Sequence, residues 1–220
     1  MGKSKKGITT DGVFRKIKNM MYYNELAPGQ KLLYQDLAKR LNTSITPVIQ
    51  ALKRLEYSNL VTYKRNRGYF MGEITETEVK ELYLAREALE TYIIPLIVSN
   101  LNIKKLNAIR KYFREYNDLS QDRRLLILKD AQFHLKIAEF SHNRVIFRLL
   151  NEIFDELSLK YRPEYMSDER IKEAIQEHRR ILIALEKGDV EEAIVMVKDH
   201  NEKGKDYVSG SLRKGKGVIL

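Results

Sequence analysis

The stretch Ser44-Ile45-Thr46-Pro47-Val48-Ile49-Gln50-Ala51-Leu52-Lys53-Arg54-Leu55-Glu56 reads as a short amphipathic helix beginning near Thr46-Pro47. Proline is tolerated there because the first helical N–H has no intrahelical partner, and Val48, Ala51, Leu52 and Leu55 fall on one inward stripe. Residues 34–41 fit a second short helix with Leu37, Ala38 and Leu41 inward, joined to the first by the polar turn Asn42-Thr43-Ser44. Two short helices across a tight turn form a helix-turn-helix, whose second helix is built to enter a major groove. Upstream, Val13, Phe14, Ile17, Met20 and Met21 recur at helical spacing over residues 11–25 until Pro28-Gly29 breaks the pattern. Downstream, Leu60-Val61-Thr62-Tyr63 and Tyr69-Phe70-Met71 flank Lys64-Arg65-Asn66-Arg67-Gly68, the pattern of a β-hairpin with a basic tip. Such a hairpin is the wing of a winged helix-turn-helix.

The charge follows the same division. The chain has 220 residues and a net charge of +10. Residues 1–72 hold 14 of the 40 Lys and Arg but only 4 of the 30 Asp and Glu, so the whole excess lies there, and the remainder balances at 26 of each. A basic segment joined to a neutral one implies that the first meets a polyanion and the second does something else. Cysteine is absent, which excludes disulfides, thiolate metal sites and cysteine nucleophiles and fits a reducing compartment. No stretch approaches the length of a membrane span, and residues 1–11 lack an apolar signal core, so a cytoplasmic protein without membrane partners is expected.

After Gly72 the periodicity turns helical. Thr75 and Glu78 form a capping box that opens a long helix to about Asn100. Further helices fit residues 103–119, 122–140, 143–161, 168–187 and 189 to about 207. The expected fold is therefore mainly α: a winged helix-turn-helix over residues 1–72, then an antiparallel all-helical bundle of about six helices over residues 73–208. Residues 209–220, with interspersed Gly and Lys, are expected to be a disordered tail.

In the first segment, Pro28-Gly29-Gln30-Lys31-Leu32, Asp36-Leu37-Ala38, Ser44-Ile45-Thr46-Pro47-Val48, Ala51-Leu52, Leu55-Glu56 and Arg67-Gly68-Tyr69-Phe70 resemble the winged helix of the GntR family. That resemblance implies a transcription regulator acting on a double-stranded DNA operator. The family usually carries arginines where Ile45 and Ile49 stand and glutamate where Gln50 stands, and those arginines are principal DNA contacts. The groups left at the start and exposed face of the recognition helix are Thr43, Ser44, Thr46, Gln50, Lys53 and Arg54. Gln50 can pair bidentately with adenine, whereas an isoleucine offers only apolar contact, for example to a thymine methyl. Lys64, Arg65, Arg67 and Gly68 at the wing tip suit phosphate or minor-groove contact. One recognition helix reads one half-site, so a homodimer is expected.

Three of the four histidines align. Asp130 and His134, four positions apart, share one helix face. His178 lies ten residues before Gly188 and His200 eleven after Asp189, so a tight antiparallel hairpin brings them level. One carboxylate and three imidazoles make an all-N/O set suited to Zn, Ni, Mn or Fe, Zn or Ni foremost, with positions left open for water or ligand. Taken singly, each histidine is an ordinary surface or core residue. His142 aligns with nothing.

The bundle resembles the FCD ligand-binding domain of FadR-type GntR regulators through Arg86-Glu87-Ala88-Leu89-Glu90, Asp130 and His134, Glu177-His178-Arg179 and Asp199-His200, and six helices match its shorter, VanR-like variety. The resemblance implies that Asp130, His134, His178 and His200 bind a divalent metal and that the adjoining pocket takes a small carboxylate. Arg86, whose planar fork matches a carboxylate, is the effector-binding candidate; equally it could be a surface partner of Glu90, its i+4 neighbour. The leading expectation is a metabolite-responsive regulator, not an enzyme. The alternatives are a metalloenzyme with an attached DNA-binding module, its base supplied by Glu139 or Glu177, and a regulator whose metal is structural or is itself the signal.

Overall fold

The computed structural model describes residues 9–117 and 123–216. Among these, the chain divides into two compact units, one of residues 9–73 with 159–161, the other of residues 74–158 with 162–216.

The first unit contains α1 (Thr10–Tyr22), β1 (Lys31–Leu32), α2 (Tyr34–Arg40), α3 (Ile45–Tyr57), β2 (Val61–Lys64) and β3 (Gly68–Met71). The Thr9 hydroxyl accepts from Gly12 N and caps α1, satisfying one of the orphan donors of its first turn. Val13, Ile17 and Met21 of α1 meet Val48, Ala51, Leu52 and Leu55 of α3 in a core closed to water. These are the apolar stripes expected from periodicity. The strands β2 and β3 pair antiparallel, Val61 opposite Met71 and Lys64 opposite Gly68. The tip needs two positive φ angles, at Asn66 (60°) and Gly68 (88°), conformations that Asn tolerates and Gly adopts without a Cβ clash. A strand not expected from sequence, β1, pairs with the other edge of β3, giving the order β1-β3-β2. Two residues are too few to show period-two alternation.

The second unit contains α4 (Glu76–Asn100), α5 (Ile103–Asn117), α6 (Arg123–Glu139), α7 (Arg144–Leu159), a 3-10 turn at Pro163–Tyr165, α8 (Asp168–Lys187) and α9 (Val190–Lys216). The capping box at Thr75 and Glu78 is present in both its hydrogen bonds. The helix ends expected at Leu119 and Asp122 lie outside the described residues. Helices α4 and α9 run antiparallel, with Val98 beside Gly188, Asn201 bonded to Glu90, Gly204 beside Tyr83 and Arg213 paired with Glu76.

That packing corrects the expectation of a disordered tail from Ser209. Helix α9 continues to Lys216, Val208 and Ser209 are buried, and Arg213 donates to Glu76 at 2.7 Å. Within the part expected to be helical, the helix packs closely on α4: a Cβ at Gly204 would lie 2.9 Å from the Tyr83 ring. Residues 217–220 of that tail lie outside the described residues.

Candidate metal centre and nucleic-acid surface

In the first unit, Ser44 is the N-cap residue of α3, and Ser44, Thr46, Gln50, Lys53 and Arg54 are exposed, with Thr43 half-buried. Two of these side chains are engaged with the first turn of α1. The Gln50 Oε1 accepts from the Thr10 hydroxyl at 2.7 Å, and Arg54 reaches Asp11 at 3.2 Å while its guanidinium lies 4.3 Å from the Phe14 ring centroid. Ile45 is 40% exposed. At the wing, Lys64, Arg65 and Arg67 are exposed and Gly68 half-buried. Lys64 and Arg67 both lie over the Phe70 ring, at 4.8 and 5.4 Å, so the aromatic holds two of the three cations at the hairpin tip.

In the second unit, the structure gathers Asp130, His134, His178 and His200, whose ligand atoms all lie within 4.8 Å of one another. The i,i+4 spacing on α6 supplies the first two, and the tight turn between α8 and α9 sets the others level. That turn is made by Gly188 in the left-handed conformation (φ 70°) and by the Asp189 carboxylate accepting from Glu192 N. The His134 Nε2 lies 3.1 Å from His178 Nε2 and 3.1 Å from His200 Nε2, and His178 Nε2 lies 3.2 Å from Asp130 Oδ1. Ligand atoms around one ion at bond lengths of about 2.1 Å sit roughly 3.0–3.4 Å apart, so the donor set fits a small divalent metal.

The outward nitrogens of two of the histidines are anchored. The His134 Nδ1 lies 2.9 Å from Glu90 Oε1, and His200 Nδ1 lies 2.7 Å from Glu177 Oε2. Each carboxylate is itself held. Glu90 accepts from Arg86 Nε (3.0 Å) and Asn201 Nδ2 (2.8 Å), and Glu177 accepts two bonds of 2.8 Å from Arg170. A carboxylate on Nδ1 fixes the tautomer that presents Nε2 as a lone pair to a metal.

Burial opposes ionisation of Asp130 most strongly, yet the hydrogen bond and charge of His178, with His134 and His200 beyond, hold its carboxyl well below the usual range. Glu177 is likewise buried and brought down to about 2 by its bonds from His200 and Arg170. Burial, together with the neighbouring imidazoles and Arg86, pushes His200 down to about 3 against the pull of Glu177. Burial and the Arg86 charge lower His134 in the same direction. The Asp130 and Glu177 carboxylates are thus held ionised and the His134 and His200 imidazoles neutral, the protonation states in which such groups serve a metal site.

Arg86 is 2% exposed, so it is not a surface partner of Glu90; its pairing with Glu90 is internal. The second arm of its fork reaches His134 Nε2 at 2.8 Å, and the Phe154 ring lies 4.5 Å from the guanidinium. A fixed cation therefore stands at the edge of the ligand set, and a narrow space lined by Ile93, Ile94, Ile97, Ile181 and Val197 opens beside His134 and Glu90. Of the two candidate bases for a hydrolytic alternative, Glu139 is exposed and paired with Lys136, and Glu177 is committed to Arg170 and His200. His142 sits at the α6–α7 turn with Lys105 Nζ 3.2 Å from its ring.

Sequence reasoning assigned no anchoring role to Glu90, Glu177, Arg170 or Asn201. The available signal was positional: Glu177 adjoins His178 and stands two helical turns after Arg170, and Asn201 adjoins His200.

Residues 9–71 match the model of the bacterial regulatory proteins of the gntR family, and residues 81–203 match the FCD domain. The chain is 26% identical to the HTH-type transcriptional regulator YdhC of Bacillus subtilis over 92% of each protein. It is 25% identical to the regulator McbR of Escherichia coli over 86% of this chain and 88% of that one. Among solved structures, E. coli McbR/YncC superposes with a TM-score of 0.80 at 22% identity, covering 91% of this chain and 97% of that one. A GntR regulator from Rhodococcus sp. RHA1 gives 0.81 at 21% identity, with the same coverage. A winged helix followed by a helical bundle thus has its counterpart in known regulators, and the chain belongs to the GntR family of DNA-binding transcriptional regulators, with a C-terminal FCD domain.

Proposed function

We propose that this regulator's operator affinity is controlled by a small carboxylate bound at or near a divalent metal, Zn or Ni, held by Asp130, His134, His178 and His200. The observation that carries the reading is the convergence of four ligand atoms within 4.8 Å, backed by Glu90 and Glu177 on the outward nitrogens. When bound, the metal supplies a Lewis-acidic site for carboxylate oxygens, and its four protein ligands leave coordination positions open. The chain's own contribution is orientation: Glu90 and Glu177 aim the imidazoles, and the Arg86 fork offers a cation to an anionic effector.

The regulator acts in the cytoplasm as a homodimer on double-stranded DNA. Thr43, Ser44, Thr46 and Lys53 address the groove, and Lys64, Arg65, Arg67 and Gly68 the backbone. Gln50 and Arg54 join them after release from Thr10 and Asp11. For sensing to occur, the effector must bind the two arrangements of the regulator with different affinity.

The test is operator affinity at fixed salt, with the metal-loaded protein, the chelated protein and a panel of small organic acids. The expected result is a shift of roughly 5- to 150-fold with one class of acid. Identical affinity throughout overturns the sensing reading. The tight Arg170, Glu177 and His200 network favours a second reading, a structural metal, in which chelation lowers bundle stability and no acid alters DNA binding.

A further inference from the structure

The first two turns of α3 carry no charge. Between Ser44 and Gln50 there is no Lys, Arg, Asp or Glu, although residues 1–72 hold the chain's whole positive excess. These turns are the part of a recognition helix that meets base edges, and what they expose is apolar and amide chemistry. Ile45 is 40% exposed, Ile49 one turn on is half-buried, and Thr46 and Gln50 are exposed. Positions 45, 46, 49 and 50 share one helix face, off the buried stripe of Val48, Ala51, Leu52 and Leu55. Lys53 is the first cation on that face. The N-cap Ser44 makes no side-chain bond to the helix it starts, which leaves its hydroxyl for a phosphate that seats these turns over the bases.

We propose that the first two turns of α3 read A·T pairs, with Gln50 on an adenine and Ile45 on a thymine methyl, and read no guanine. Guanine shows two acceptors, N7 and O6, to the major groove, and its usual reader is an arginine or lysine, which these turns lack. Adenine shows a donor beside an acceptor, N6–H and N7, and a glutamine amide matches both. In the free protein the Gln50 Oε1 already accepts, from the Thr10 hydroxyl at 2.7 Å. An adenine N6–H replaces that donor in kind, so release from Thr10 leaves the oxygen bonded. Guanine would set an acceptor against it and leave it without a donor. Thymine carries a methyl group in the groove, and covering it removes apolar surface from water on both the base and Ile45. The inference deepens the reading of α3 as the groove-facing helix and rests on it; it is independent of the metal and the effector.

Selection from a random duplex library with the full-length protein gives the recognised sequence, and variants assign its pairs. Gln50→Ala is expected to lose an adenine preference of about 5- to 150-fold at one pair, and Ile45→Ala to lose a thymine preference at another. Two base analogues repeat the test without altering the protein. With 7-deazaadenine, which lacks only the N7 acceptor, the parent is expected to bind about 5-fold more weakly and Gln50→Ala to be unmoved. With uracil for thymine, which lacks only the methyl, the parent is expected to lose about 4-fold and Ile45→Ala nothing. A guanine preference that disappears in Gln50→Ala overturns the proposal, and so does a parent indifferent to both analogues. If Lys53→Ala weakens binding to every sequence, those results overturn this inference alone. If Lys53→Ala costs no affinity, α3 lies outside the groove, and the reading on which the inference rests falls with it.

Discussion

The two units differ in where their functional charges sit. In the winged helix the ion pairs stand in water: Arg54 and Asp11 are 50% and 55% exposed, and Arg40 and Glu25 37% and 49%. In the bundle, beside exposed pairs such as Arg148 with Glu152 (62% and 52%), two are enclosed: Arg86 and Glu90 are 2% and 7% exposed, Arg170 and Glu177 7% and 2%. An exposed pair contributes roughly 0–1 kcal/mol and is easily exchanged. A buried one is strongly destabilising to break, because the abandoned partner keeps its charge without water. The first arrangement suits cations that must leave protein partners for phosphates. The second suits ligands that must be held still while a small ion or molecule comes and goes.

The contrast breaks most visibly at Glu177. Glu177→Ala strands Arg170 and frees the His200 ring, so chemical denaturation is expected to show a loss of about 3–5 kcal/mol, and metal titration a weakening of about 10- to 100-fold. A variant with unchanged stability and metal affinity would show that the pair is ornamental.

Acid should separate the units next. His200, pushed to about 3, is neutral in the fold and takes a proton on unfolding below its ordinary 6.5. Its folded value is depressed, so stability of the metal-free protein is expected to fall as pH drops from 6.5 toward 3. Glu177, brought down to about 2, contributes stability that is present above its ordinary 4.5 and is lost as pH falls toward 2, the same sign. Unfolding followed against pH by bundle-specific hydrogen exchange would detect the loss, and a flat profile would contradict the burial argument.

The smallest effect belongs to the first unit. Asp11→Asn, which breaks the exposed pair with Arg54, is expected to change stability by about 1 kcal/mol or less in thermal melts. A larger loss would mean that the α1–α3 contact depends on that pair more than on Val13, Ile17 and Leu52.

Much of this arrangement was legible from sequence, for reasons that differ by residue. The helix-turn-helix follows from the stripe at Val48, Ala51, Leu52 and Leu55, because a surface helix must bury one face. His178 and His200 could be set level because Gly188 fixes a tight turn and helical rise does the rest. Glu90 and Glu177 could not be distinguished from the many solvated acids on amphipathic helices, since burial of a glutamate depends on partners from other helices. The tail was misread because glycines such as Gly210 are poor helix formers on their own, and the helix through them is held by contacts from far along the chain, such as Arg213 with Glu76. Strand β1 was missed because its two residues gain their pairing from β3, far along the chain.

Whether Asp130, His134, His178 and His200 hold a metal is decided by elemental analysis of the purified protein. One divalent transition metal per chain, or its uptake when Zn or Ni is added, is expected, with loss of that metal in the His178→Ala, His200→Ala double variant. A parent protein that is metal-free and takes up neither ion, with its histidines intact and its bundle folded, would contradict it.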